Sequence, residues 1–392
     1  MKLNSHQQDM LDGKYSKGHA MAMEILIAIG DSFNAEEMVP IDRAHVALSA
    51  QKADTWFAEK MAKAGVTCAV SPTVNPGYSI CYFKNKNLLS EEAKDNMLRV
   101  ESAYKSLGST LTYSCTPYLF ANTAHFNDIA SFSETSVTIF ANSVIGARTN
   151  RESSFSSLCA AITGYTPLYG YLLDENRKAD IIVNVEADFK SHFDFAMLGL
   201  MAPKIGRGNP IFVGIDKMST EDHINLGTQL NVAGSYALYH VLGVTPEAKN
   251  LEDIVDKNVR EVTITDKDLE ELKNKNLPED KIDFVMLGCP HYTYDQILYL
   301  LNKIRKDKPK VPIWVLTSKA NIGLLESMGL KEEFNSYGVD LVPDTCTDEY
   351  LVWNFLKGKK GISDSPKCSY YMSSFGLDIS VADIDTIIEL AR

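Results

Sequence analysis

In the first half of the chain, apolar positions recur at helical spacing in some stretches and bunch into short runs in others, with polar, turn-forming residues between them. The helical spacing predicts helices over residues 5–12, over Lys17–Ile29 with Gly30 as its stop, and over Lys52–Ala64, Ser90–Leu107 and Ser153–Thr163. The short runs predict strands at Ala44–Leu48, Val66–Val70 and Thr110–Ser114, and the β-branched run from Thr138 reads as a strand leading to a turn at Gly146. After a turn-rich link, strands follow near Tyr171–Leu173, Ile181–Val185 and Ile211–Gly214, and a helix begins near Thr220.

The acidic, lysine-rich stretch Asn250–Lys281 breaks this rhythm and reads either as a domain junction or as a charged surface helix. Beyond it the alternation is cleaner. Strands Phe284–Leu287, Ile313–Thr317 and Val339–Pro343 alternate with helices Thr293–Arg305, Ile322–Met328 and Glu349–Phe355, and a last helix, Val381–Leu390, takes Ser380 as its N-cap. The pattern predicts an α/β fold with mostly parallel sheets flanked by helices, in two parts: residues 1–250 and a Rossmann-like part, 251–392. No Gly-x-Gly-x-x-Gly occurs, so nucleotide binding is not implied.

Length agrees with more than one domain, since 392 residues exceed what one core usually serves. The net charge of −12 argues against a broad nucleic-acid surface, so any anion must be held locally. Met1 leads into polar sequence with no apolar signal core, and no run approaches the ~18 apolar residues that span a bilayer. No membrane partner and a cytoplasmic location are expected.

Residues 142–151 form the densest donor array in the chain: Asn142, Ser143, Arg148, Thr149, Asn150 and Arg151. The two arginines could fork onto a carboxylate or phosphate while the others hydrogen-bond its remaining oxygens. The alternative is an ordinary strand, turn and helix start with solvated arginines. His45, on a short strand, is a structural histidine or a ligand.

Seven cysteines stand at 68, 81, 115, 159, 289, 346 and 368, and none forms a Cys-x-x-Cys pair. That count argues against a disulfide framework and leaves buried thiols, a nucleophile or a metal centre. Cys115, Cys289 and Cys346 each follow a predicted strand, where ligands of α/β sheets collect. They suit an iron–sulfur or zinc site held between two parts of the chain, or three unrelated buried thiols.

Several motifs in this order carry a family resemblance: Val39-Pro40 with Ala44-His45-Val46, Pro72-Thr73-Val74-Asn75-Pro76, Cys115-Thr116-Pro117-Tyr118, Ala141 to Glu152, Thr163 to Gly170, His240 to Ala248, Gly288-Cys289-Pro290-His291 and Asp344-Thr345-Cys346. Over nearly its whole length the chain resembles the aconitase X family in its separate large-subunit form. The resemblance implies an aconitase-like iron–sulfur hydro-lyase whose cluster, [4Fe-4S] or [2Fe-2S], keeps an open iron position and is held by Cys115, Cys289 and Cys346. It also implies a small, swivelling-domain subunit that supplies the general base and a small hydroxy-acid substrate anchored by Thr73, Asn75, Asn142, Ser143, Arg148, Thr149, Asn150 and Arg151. Of these, Asn142, Ser143, Arg148 and Arg151, with His45, are the expected catalytic set; His291 could tune the hydroxyl or the cluster. Cys68, Cys81, Cys159 and Cys368 are read as structural.

Two positions depart from the family pattern: Gly77-Tyr78-Ser79-Ile80 follows Pro76 where an aspartate is frequent, and Tyr165 stands where arginine is common. Both bear on substrate. The first leans the reading to cis-3-hydroxy-L-proline, with mevalonate 5-phosphate as the alternative and a non-catalytic iron–sulfur subunit or a zinc hydrolase as readings of another class.

Overall fold

The structure, a computed structural model, describes residues 1–48 and 51–392. Fourteen strands are present among these residues, in four sheets. The first unit holds β1 (Met38–Pro40), β2 (Arg43–Val46), β3 (Thr73–Val74), β4 (Ala130–Phe132) and β5 (Tyr165–Pro167). β2 lies between β3 and β4, all parallel, while β1 and β5 form a separate antiparallel pair. The helices Lys17–Ser32, Lys52–Lys63, Glu91–Ser106 and Ser154–Thr163 supply its core through Met23, Leu26, Phe57, Met61, Val100 and Ile162.

The second unit is a parallel sheet of β6 (Ala179–Val185), β7 (Pro210–Val213), β8 (His240–Val241) and β9 (Val255–Ile264), in the order β8-β7-β6-β9. The charged stretch 250–281, expected as a junction or a surface helix, supplies β9 to this sheet and the helix Asp266–Asn276 beside it. β9 lies at the sheet's edge, where charged residues are common.

The third unit contains β10 (Phe284–Leu287), β11 (Ile313–Thr317), β12 (Val339–Pro343), β13 (Lys360–Ser363) and β14 (Asp378–Val381), all parallel, in the order β12-β11-β10-β13-β14. The order reverses direction between β10 and β13, and such a switch point opens a crevice at the strands' carboxyl ends. Cys289 follows β10, and the residues after β13 enter the helix Pro366–Ser373.

Several sequence expectations are corrected. Val66–Val70 is not a strand: its N–H groups bond Leu107, Ile162 and Ala161 carbonyls at two helix ends. Thr110–Ser114 keeps one bridge, at Thr110, because the Thr112 hydroxyl itself bonds both Val74 N–H and Val74 C=O, and Tyr113 takes a positive φ of 44°. The run from Thr138 is helical, Thr135–Phe140 followed by a π turn over Ala141–Ile145. It is buried on all faces, where β-branched composition no longer distinguishes strand from helix. Gly30 does not stop its helix but packs within it against Met1 and Pro167. Tyr171 lies in a single 3-10 turn, and Ser380 belongs to β14, the last helix being Ile384–Leu390 capped by Asp383.

Candidate active site

The three cysteine loops meet. The Cys115 sulfur accepts the His291 N–H at 3.2 Å, the Cys289 sulfur accepts the Thr347 hydroxyl at 3.3 Å, and the Cys346 sulfur accepts the Asp348 N–H at 3.4 Å. Since His291 neighbours Cys289 in the chain and Thr347 neighbours Cys346, these contacts join all three tips. Backbone pairing reinforces them: Gly77 bridges Thr345 in parallel, and Cys346 N–H bonds Gly77 C=O at 2.9 Å. The first and third units therefore interlock at this point. Gly288 makes the turn possible, with φ of 91° and so little room that a Cβ would lie 2.1 Å from the Leu316 carbonyl oxygen.

Cys115 and Cys289 are buried and Cys346 nearly so. Burial pushes the Cys115 thiol up to about 12, with Glu134 adding to the rise and Lys367 and the His291 N–H opposing it. Cys289 and Cys346 are raised by the same cause. Sulfur is a weak hydrogen-bond acceptor, yet each of the three receives a donor, as thiolates bound to iron would. The side chain of His291 adds a second mark. Its Nε2 donates to the Thr345 carbonyl at 2.9 Å, which leaves Nδ1 as a buried acceptor with no partner among the described residues. Burial lowers this imidazole to about 4, so it is neutral. Three cysteines with aimed donors, beside an unspent imidazole nitrogen, fit a cluster with a ligand next to it. Among the described residues no three His, Cys, Asp or Glu side chains close around the position of a single metal ion.

The expected donor array is spent on the fold instead. Asn142 is fully buried: its amide donates to the Thr149 and Ala237 carbonyls, and its oxygen accepts from Thr149 N–H and Arg177. Ser143 accepts the Tyr239 N–H, Thr149 accepts the Phe132 N–H, and Asn150 holds the backbone of Tyr169 and Tyr171. Arg148 bonds Asn127 and the Leu172 carbonyl and pairs with Asp174 at 2.5 Å. Arg151 has the most donors to spare: it is exposed, with one long contact, to Ser235 C=O at 3.4 Å. The physical reason is the irregular chain around the loop, where peptide groups at Phe132, Thr149, Tyr169, Leu172, Ala237 and Tyr239 take side-chain partners in place of regular ones.

His45 is likewise saturated. Nε2 donates to Asn75 Oδ1 and Nδ1 meets the Thr73 hydroxyl, each at 2.8 Å, and burial lowers it to about 4. Thr73 in turn accepts from Asn122, so Thr73 and Asn75 orient His45. The two departures from the family pattern are placed differently: the Gly77–Ile80 stretch runs against the Cys346 loop, with the Tyr78 hydroxyl turned to Ala93 C=O at 2.6 Å, while Tyr165 faces His6.

Sequence reasoning missed two residues here. Glu134 and Lys367 form a buried ion pair at 2.5 Å, with side chains 4% and 8% exposed. Burial works against both charges, and each overrides it for the other. Nothing in the motif spacing marks Glu134. Lys367 precedes Cys368 in a stretch whose strand, β13, was not recognised. Asp348 was missed as well; burial lifts its carboxyl to about 6, and it lines a cleft of about 920 Å³ that also touches Lys52, Arg99, Tyr350 and Phe375.

Comparison with known proteins agrees with this geometry. Three consecutive domains of aconitase X match: the first over residues 1–175, the second over 179–274 and the third over 282–392. The chain belongs to the aconitase X family. It is 36% identical to the phosphomevalonate dehydratase large subunit of Thermococcus kodakarensis across the whole of both chains. A large subunit of the same name from Methanothermobacter thermautotrophicus is 35% identical over 96% of this chain and 95% of that one. The cis-3-hydroxy-L-proline dehydratase of Pseudomonas aeruginosa is 29% identical over 90% of this chain but 63% of its own. The crystal structure of the holo-form of Thermococcus kodakaraensis aconitase X superposes over all of both chains with a TM-score of 0.91 at 32% identity. This aconitase X chain is thus a dehydratase large subunit, for which the family implies an iron–sulfur cluster and a small-subunit partner. No helix among the described residues is long and apolar enough to cross a membrane.

Proposed function

We propose that the chain is the large subunit of a cytoplasmic phosphomevalonate dehydratase whose cluster is held by Cys115, Cys289 and Cys346. The observation that carries the site is the His291 N–H on the Cys115 sulfur, which joins cysteines 174 residues apart along the chain. Both [4Fe-4S] and [2Fe-2S] clusters take four protein ligands, so three thiolates leave one iron position open. When bound, that iron supplies a Lewis acid for the departing hydroxyl.

The chain's own groups do the rest. Neutral His291 holds Nε2–H on Thr345 and turns Nδ1 to the substrate hydroxyl as acceptor. Arg151 binds a substrate oxyanion with its unspent donors, while Asn142, Ser143, Thr149 and Asn150 shape the loop behind it. Thr73, Asn75 and His45 hold the rear wall. The small subunit brings the general base that takes the proton from the neighbouring carbon.

The full-length likeness to separate large subunits named for phosphomevalonate supports that substrate. Cis-3-hydroxy-L-proline stays as the second reading because relatives bearing that name match 88–90% of the chain. The test is turnover of both compounds by the anaerobically reconstituted two-subunit complex. Dehydration of phosphomevalonate alone, lost in Cys289→Ser and absent without the small subunit, is expected; turnover of hydroxyproline alone, or full activity of the large chain unaided, overturns the reading.

A further inference from the structure

We infer that Lys367, clamped by Glu134, is a positioning residue for the three-cysteine site, holding two of its loops in register and directing positive charge at the Cys289 sulfur. This rests on the cluster reading above. Two helices start at this point, and each is tied to a cysteine. Glu134 caps Thr135–Phe140, its Oε2 accepting the Ser136 and Val137 N–H groups, and the Ser136 hydroxyl donates to the Cys115 carbonyl at 2.7 Å. Ser365 caps Pro366–Ser373, and its hydroxyl donates to the Cys289 carbonyl. The Glu134–Lys367 pair closes the ring between these helices, so it links the first unit's cysteine to the third unit's.

The pair is not balanced as a simple structural bridge would be. Oε2 of Glu134 accepts two backbone N–H groups, and Oε1 takes Lys367. The ammonium carries three donors and spends one there; it lies 5.8 Å from the Tyr371 ring centroid and interacts electrostatically with both Cys289 and Cys115. Among the described residues it has no second acceptor. Thiolates in a buried site need nearby positive charge, and Lys367 is placed to give it at Cys289, where it outweighs Glu134. Groups around a metal site that orient or neutralise its ligands typically change metal retention without touching the metal.

The test uses the two-subunit complex purified anaerobically, with iron and sulfide per chain, the rate of iron loss to a chelator and the cluster midpoint potential as readouts. Glu134→Gln/Lys367→Met removes both charges, so no unpaired charge is left buried. It is expected to lose iron about 10- to 100-fold faster and to show a lower potential, while Lys367→Arg restores both. Ser365→Ala keeps both charges and removes the tether to Cys289 together with the helix cap; faster iron loss at unchanged potential is expected, and it remains informative should the double variant not fold. Wild-type retention and potential in the double variant, or wild-type retention in Ser365→Ala, overturn the inference while the cluster reading stands. Wild-type protein without iron and sulfide removes both.

Discussion

Arg177 offers the sharpest check on the reassignment of residues 142–151 from ligand array to scaffold. It is 3% exposed, pairs with Glu247, and donates to Asn142 Oδ1 and to the carbonyls of Tyr171, Asn142 and Ala147. Arg177→Met leaves a nearly buried carboxylate without its cation and several carbonyls without a donor. Breaking a buried pair by removing one partner costs about 3–5 kcal/mol. Arg148, by contrast, pairs with an Asp174 that is 85% exposed. Arg148→Met should therefore cost about 0–1 kcal/mol. For a unit of this size, ~1 kcal/mol moves the midpoint by about 2–4 °C, so thermal unfolding should fall by about 6–20 °C for Arg177→Met and by less than about 4 °C for Arg148→Met. Circular dichroism melts of the large chain read this directly. An Arg177→Met midpoint within ~2 °C of wild type, or equal losses for the two arginines, would refute the scaffold assignment.

His223, whose Nδ1 meets the Tyr239 hydroxyl at 2.8 Å, is lowered by burial from 6.5 to about 4, with Asp222 opposing. Its neutral form stabilises the fold above ~6.5, and that stability is lost as pH falls through this window towards ~4, about 3 kcal/mol in all. Denaturant midpoints of His223→Gln should accordingly decline less over this range than those of wild type. Cys81 is the exposed cysteine among the described residues, so a thiol reagent added to the folded chain should label it first, as peptide mapping would show; initial labelling at Cys159 or Cys368 would contradict the burial. Gly288→Ala drives a Cβ into the Leu316 carbonyl, and purified protein should lack iron while Gly323→Ala, in open space on a helix, keeps it. Arg151→Ala should raise KM about tenfold or more with kcat less affected, and Arg148→Met should not.

The third unit was the most readable part of the chain because β10 and β11 are buried on both faces and flanked by amphipathic helices, which leaves nearly continuous apolar runs there, with β12 interrupted only by Asp340. β13 escaped notice because Lys-Gly-Ile-Ser is short and half polar, and with it went Lys367. Cys289 and Cys346 were legible as tips of β10 and β12, which present their carboxyl ends to one side; Cys115 ends no strand, and its place beside them rests on its contact with His291. The polar residues of the π turn looked like a ligand array because composition cannot tell a donor aimed at a ligand from one aimed at an irregular backbone. Only the hydrogen-bond partners of Asn142 and Arg148 separate the two.

The interlock between the loop at Gly77 and the loop at Cys346 has a consequence for biosynthesis. On the reading proposed above, the loop at Gly77 and the loop at Cys346, 269 residues apart along the chain, must both be folded before the three sulfurs stand together, so cluster assembly would follow the docking of the first and third units.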